Sequence, residues 1–269
     1  MGKPRTAGGV GVPKGKRAQS CTPWDASTYD RSSEAQQAWA SEVLARLGGL
    51  ALDATVLDVG CGTGRVTEAL LALVPRGRVL AVDASADMVD LARKRLGDGV
   101  DVWCEDVLDL ELDEPVDAIV STATFHWVTD HDLLWRRLSQ ALRPGGVLEV
   151  QCGGLGNIDN VRRVIEGVAA DVAPELLGWS PWNFAGPAET EQRLRNAGFV
   201  EVSCWLEERP TYPEDVDAFV RTSILPAHLA RLPVASRERF ASAVVENVSL
   251  PLDYVRLNAS AVRGEALGV

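Results

Sequence analysis

The chain has 269 residues, of which 46% are hydrophobic and 24% charged, the proportions of a packed globular protein and of neither a disordered nor a fibrous one. Its 27 Lys and Arg against 38 Asp and Glu give a net charge of −11. Five cations, Lys3, Arg5, Lys14, Lys16 and Arg17, precede the first acid, Asp25, so the remainder carries 22 cations against 38 acids, −16. That sign argues against nucleic acid as a partner, because phosphate neutralisation supplies most of such affinity, and no apolar run approaches the roughly eighteen residues of a membrane span. Residues 1–22 read as a flexible basic tail without the apolar segment of a secretory signal. The five cysteines, odd in number and without a CxxC pair, point to a reducing, cytoplasmic setting with no disulfide or zinc framework.

After the tail, Ser33 to Leu47 reads as a helix, with Ala40, Val43, Leu44 and Leu47 at helical spacing. Thr55 to Val59 is a short apolar strand running into a glycine-rich turn, and Arg65 to Val74 is a helix stopped by Pro75 and Gly77. The strand Arg78 to Val82 reaches Asp83, and Ser85 caps a helix to about Leu96. Val100 to Cys104 and Val116 to Val120 are further strands. Asp130 to Leu142 is a helix, and Val147 to Gln151 is a strand after the Pro144-Gly145-Gly146 turn. Beyond it, helices are expected over 157–172, 189–197, 214–222 and 236–248, a loop rich in Trp and Pro over 174–184, and strands over 200–207 and 253–259. Strands alternating with helices specify a doubly wound α/β fold, a mostly parallel sheet with helices on both faces. Ligands of such sheets bind at the carboxyl ends of the strands, here after residues 59, 82, 104 and 120.

Asp58-Val59-Gly60-Cys61-Gly62-Thr63-Gly64 is the strongest chemical signal. Glycines at a strand-to-helix turn let backbone approach a ligand, and the next helix offers free N–H groups. The third glycine comes one residue too early for a dinucleotide fingerprint, which disfavours a nicotinamide dehydrogenase. Asp83, closing the second strand, is placed to accept from both hydroxyls of a ribose, and Asp106, after the third, from the exocyclic amine of a base. Read singly, the two acids are a helix cap and a turn acid.

On these residues the chain resembles the class I S-adenosylmethionine-dependent methyltransferases. The resemblance is clear from about Tyr29 to Gln151 and implies a seven-stranded Rossmann-like sheet with S-adenosyl-L-methionine as cofactor. It implies that Asp58, Gly60, Cys61, Gly62 and Gly64 belong to the turn that holds the methionine portion, that Asp83 takes the ribose, and that Ala84, Met88, Asp106 and Val107 surround the adenine. Thr122 completes the expected cofactor set. Within the class the chain is most similar to trans-aconitate methyltransferases and unassigned bacterial relatives, through Tyr29, Gln36, the segment Ser121 to Val128, and Asp130-His131. In related carboxyl methyltransferases the positions of Gln36 and Trp127 orient the acceptor carboxylate; here Gln36 stands where the trans-aconitate enzymes tend to carry a cation.

The resemblance implies a single methyltransferase domain over 23–269, with a core of 50–152 and a helical lid and C-terminal strands over 153–269. The expected activity is methyl transfer to a small molecule, at a carboxylate oxygen. Two alternatives stand beside it: O-, N- or C-methylation of a secondary metabolite with His126 as general base, and a non-catalytic cofactor-binding partner protein. His126 is equally read as a side chain bonded to nearby backbone. The acceptor site is expected to draw on Tyr29, Gln36, Trp182, Tyr254 and Arg256, with Trp179, Phe184 and Arg221 as further candidates. His126 and His131 lack a third ligand at useful spacing, so no metal is expected.

Overall fold

The computed structural model describes residues 34–265. The basic tail and Tyr29 lie outside them. Seven strands form one sheet: β1 (Thr55–Val59), β2 (Arg78–Asp83), β3 (Asp101–Cys104), β4 (Val116–Thr122), β5 (Leu142–Gly153), β6 (Phe199–Glu208) and β7 (Val255–Arg263). Their order is β3-β2-β1-β4-β5-β7-β6. The first five are parallel, while β7 enters antiparallel between β5 and β6. Parallel neighbours require crossovers, which α1 (Glu34–Arg46), α2 (Arg65–Leu73), α3 (Ala86–Leu96), α4 (His131–Ala141), α5 (Asp159–Val172) and α6 (Pro187–Asn196) flank or supply.

Alternating strand residues go to opposite layers, as the two-residue period of a strand demands. Val56, Val79, Ala81, Ala118 and Val120 join Val43, Leu70, Val89 and Ala92 of α1 to α3 in one core. Leu57, Leu80, Val82, Ile119 and Leu148 join Leu134, Trp135 and Leu138 of α4 and Leu194 of α6 in the other. Side-chain caps set two helix starts: Ser85 Oγ accepts from Met88 N–H, and Asp130 Oδ1 from Leu133 N–H at 2.8 Å.

Several boundaries differ from the sequence expectation. β5 begins at Leu142 and takes in the Pro144-Gly145-Gly146 turn, because Leu142 pairs with Val116 before a register shift. The last strand is Val255–Arg263, not 253–259: its long antiparallel ladders to β5 and β6 override the weak signal of Asn258, Ser260 and Arg263. The helix expected over 214–222 is only α7 (Val216–Phe219), continued by a π-helical turn Val220–Ile224. Pro226 then opens an additional helix, α8 (Pro226–Arg231), before α9 (Val234–Asn247). α5, α7, α8 and α9 share a third core with Trp39, Leu176, Leu252 and Tyr254, forming the helical layer over the carboxyl ends of the strands. Among the described residues no helix is long and apolar enough to cross a membrane.

Candidate active site

One cavity of about 740 Å³ runs along the carboxyl ends of β1 to β4 and under the helical layer. That lies within the ~300–1,000 Å³ of small-molecule sites. Val59, Gly60, Gly62, Asp83, Ala84, Met88, Asp106, Val107 and Thr122 line one end. His126, Trp127, Asn157, Ile158, Trp179, Ile224, Arg231, Tyr254 and Arg256 line the other.

The glycine turn is tied to β2 by the N–H groups of Gly60 and Cys61, which donate to Val82 O at 2.8 and 3.1 Å. Gly60 has φ +75, and a Cβ there would fall 2.1 Å from Thr124 Oγ1; at Gly62, with φ +54, a Cβ would meet nothing within 4 Å. The first glycine is thus demanded by packing, while the second bares its backbone to the cavity. Asp83 holds the turn from the other side: Oδ2 accepts from Gly62 N–H at 2.9 Å and Oδ1 from Ser85 N–H at 2.8 Å. Burial raises its carboxyl above the usual range, against the pull of those two bonds. Asp106 Oδ1 accepts from Leu108 N–H at 2.9 Å, capping the short turn Val107–Asp109. Asp106 is thus the cap of a short turn, while the helix after β2 is capped by Ser85 and Asp83 binds turn backbone instead; both acids still line the cavity.

Asp58, Cys61 and Gly64 do not line it. Asp58 is buried under the turn, where Oδ2 accepts from Thr67 Oγ1 at 2.6 Å, and burial pushes its carboxyl up to about 7. A folded-state value above the usual 3.8 means that its contribution to stability is complete below pH ~4 and is lost as pH rises through 7. The Asp58→Asn variant should therefore gain in Tm relative to the unsubstituted protein as pH goes from 4 to 8, measured by calorimetry. A constant difference across that range would overturn the assignment.

At the other end of the cavity, Gly153 at the close of β5 pairs with Arg256 of β7. Gly153 N–H donates to His126 Nδ1 at 3.2 Å, and a Cβ at Gly153 would lie 2.9 Å from Asn157 Nδ2. Asn157 Oδ1 accepts from Val255 N–H at 2.9 Å, which fixes the orientation of its amide. Arg256 is buried, its guanidinium 5.0 Å from the Trp39 ring centroid. His126 lies against Trp127 and stacks on Phe184. Burial first, then Arg256, lower its imidazole well below the usual range. His126 is accordingly neutral, with Nδ1 occupied as an acceptor and the proton on Nε2. Ala123 and Ile158 hold left-handed backbone, φ 57 and 50, on the cavity wall, an uncommon conformation that marks a constrained site.

The other expected acceptor residues divide. Tyr254 lines the cavity, 5.6 Å from Trp39 between ring centroids. Trp182 is not on the wall: it stands behind Trp127 and stacks on Phe184, while its loop neighbour Trp179 takes the wall position. Arg221 is turned to the surface, ion-paired with Asp217 and Glu238. Gln36 falls in the first turn of α1. Asn157, Ile158 and Arg231 were not foreseen. The signal for Asn157 was its place in the turn directly after the fifth strand, but it reads equally as a helix start. Among the described residues no group of three or more His, Cys, Asp or Glu is arranged to hold a metal ion.

The chain is similar to known proteins in sequence and in fold. The family "Methyltransferase domain" matches residues 56–146. A trans-aconitate 2-methyltransferase of Methylobacterium nodulans is 35% identical over 183 residues, 68% of this chain and 67% of that protein. The chain belongs to the class I S-adenosylmethionine-dependent methyltransferases and is an enzyme with S-adenosylmethionine as its cofactor. A second relative, the malonyl-[acyl-carrier protein] O-methyltransferase of Priestia megaterium, is 31% identical over 139 residues, and the match spans only 51% of its length. Phosphoethanolamine N-methyltransferase 2 of Haemonchus contortus, solved with S-adenosyl-L-methionine, has the same fold, with a TM-score of 0.59 at 18% identity over 89% of this chain and 57% of that one.

Proposed function

We propose that the enzyme methylates a carboxylate oxygen of a small organic acid. The donor set around Gly153 carries this reading. Arg256 only donates, Asn157 has its oxygen engaged and offers Nδ2, and His126 has Nδ1 engaged and offers Nε2–H. An ionised carboxylate only accepts and does so at neutral pH without a base, so it is the complement of such a set, whereas an amine or an un-ionised phenol carries a proton that needs an acceptor there. The two named relatives, one of trans-aconitate and one of a malonyl group, support the same acceptor chemistry.

When bound, S-adenosylmethionine supplies a methyl group on a cationic sulfur with a good leaving group. Asp83 would hold its ribose, the Gly60–Gly64 turn its methionine portion, with Asp58 and Cys61 supporting that turn from below, and Ala84, Met88, Asp106 and Val107 its adenine. Thr122, at the close of β4, lines the same end. The bared backbone at Gly62 and the acid beside it fit such a group. Orienting the acceptor falls to Arg256, Asn157 and His126, with Trp127 and Tyr254 as walls, and alignment of reactants removes much of an entropic barrier. A carboxylic acid with pKa about 4 is already ionised at neutral pH and needs no base. The alternative of His126 as general base finds no support in its geometry, because a second proton would have to displace the Gly153 N–H from Nδ1. The docked loop Trp179–Phe184, fastened by Asn183 N–H to His126 O at 2.8 Å, is read as a water-excluding cover.

A turnover screen with methyl-labelled cofactor tests the reading. Carboxylic acids should be labelled, at a kcat/KM that is flat between about pH 6 and 8 because His126 stays neutral throughout. Labelled phenols, with turnover abolished in His126→Gln, would reject it.

A further inference from the structure

We infer that the acceptor is a monocarboxylic acid with an apolar body, a straight-chain or aryl acid, and not a di- or tricarboxylate. This rests on the carboxylate reading above and concerns the remainder of the cavity. All three donors, Arg256, Asn157 and His126, gather at one pole beside Gly153. Away from that pole the wall is formed by Ile158, Trp179, Ile224 and Ala227, and its polar members Thr129, Ser180 and Ser223 are neutral.

Among the described lining residues the cationic side chains are Arg231 and Arg256. Arg256 is buried; Arg231 is exposed at the end of α8, its guanidinium 4.9 Å from the Trp179 ring centroid, at the solvent side of the cavity. A second carboxylate close to the first would lie against aliphatic and aromatic side chains, losing hydration without gaining a partner. The other end of the cavity is taken by the cofactor on the reading above, and its wall there carries the acids Asp83, Glu105 and Asp106, so no cation is available in that direction. An apolar body meets neither obstacle and gains from burial along Ile158, Trp179 and Ile224. The acceptor would then be amphipathic, with its head on Arg256 and its tail under α8.

Calorimetric titration of the enzyme saturated with S-adenosylhomocysteine tests this without turnover. Straight-chain monocarboxylates of about four to about ten carbons should bind roughly fourfold more tightly per added methylene until the cavity is filled. A dicarboxylate of matching length should bind at least about tenfold more weakly than the monocarboxylate. Ala227→Phe should move the optimum to shorter chains. If that variant does not fold, the chain-length series on the unsubstituted protein decides. Affinity indifferent to chain length would overturn the inference. So would tighter binding of di- or tricarboxylates that is lost in Arg231→Gln, and either result leaves carboxylate methylation standing. Binding and labelling of phenols or amines with no carboxylic acid bound would overturn both.

Discussion

Replacing Arg256 with methionine is expected to weaken acceptor binding by about 10- to 150-fold while leaving cofactor affinity within about twofold. The range follows from the ~1.5–3 kcal/mol of a hydrogen bond to a charged partner. Methionine keeps much of the side-chain volume, so the substitution removes charge and donors without opening a large cavity. The stacking on Trp39 at 5.0 Å is also lost, which at a desolvated site costs about 1–2 kcal/mol of stability. Because Arg256 is one of the groups that lower the imidazole of His126, the variant should also let that imidazole titrate nearer its ordinary range, visible by NMR. Unchanged acceptor affinity in a folded variant would remove Arg256 from the site.

The second large effect is expected at Asp83. Alanine there removes the carboxylate proposed to take the ribose and also the two bonds, from Gly62 N–H and Ser85 N–H, that shape the turn. Cofactor affinity should fall by at least about 100-fold, since charge-assisted bonds and loop order are lost together. Asp83→Asn, which retains one accepting oxygen, should fall between. Burial raises the Asp83 carboxyl, so it binds a proton at a higher pH than an exposed aspartate does. Cofactor affinity should accordingly decline as pH drops through that raised value, because the ionised form is the one that accepts hydrogen bonds. The stability term of the same group runs the other way and diminishes as pH rises. Calorimetric titration across pH measures the first and thermal melts the second. A cofactor Kd within twofold of the unsubstituted protein in Asp83→Ala would exclude the role.

The first half of the sheet was legible because each strand there is short, apolar and punctuated: Val59-Gly60, Asp83-Ala84 and Cys104-Glu105 end strands where composition changes abruptly. The end of the cavity proposed to hold the cofactor was legible for the same reason, since its residues sit at those punctuation points. The end proposed for the acceptor was not. Arg256 and Gly153 are about a hundred residues apart and meet only through the antiparallel β5–β7 ladder, which local periodicity cannot encode. Trp179 and Trp182 are equivalent aromatic residues in one loop by sequence, and only tertiary packing puts the first on the wall and the second behind Trp127. The π turn at Val220–Ile224 breaks the 3.6-residue period on which the helix over 214–222 was read, so that expectation overran. For His126, the hydrogen bond from Gly153 N–H is the observation that favours the backbone-bonded reading in the proposal, and nothing in the local sequence announces it.

The place of β7 has a consequence for how the enzyme is made. As the chain leaves a ribosome, residues 55–122 already contain the four strands whose ends line the cofactor half, and they can pair among themselves. β6, by contrast, is synthesised some fifty residues before β7, its only partner in the sheet among the described residues, and must wait for that ladder. Arg256 arrives on that same late strand. On the proposed assignment, a nascent chain acquires the turn and acids that would hold the cofactor well before the arginine that would take the acceptor, and in that interval the edge of β6 is open to other strands.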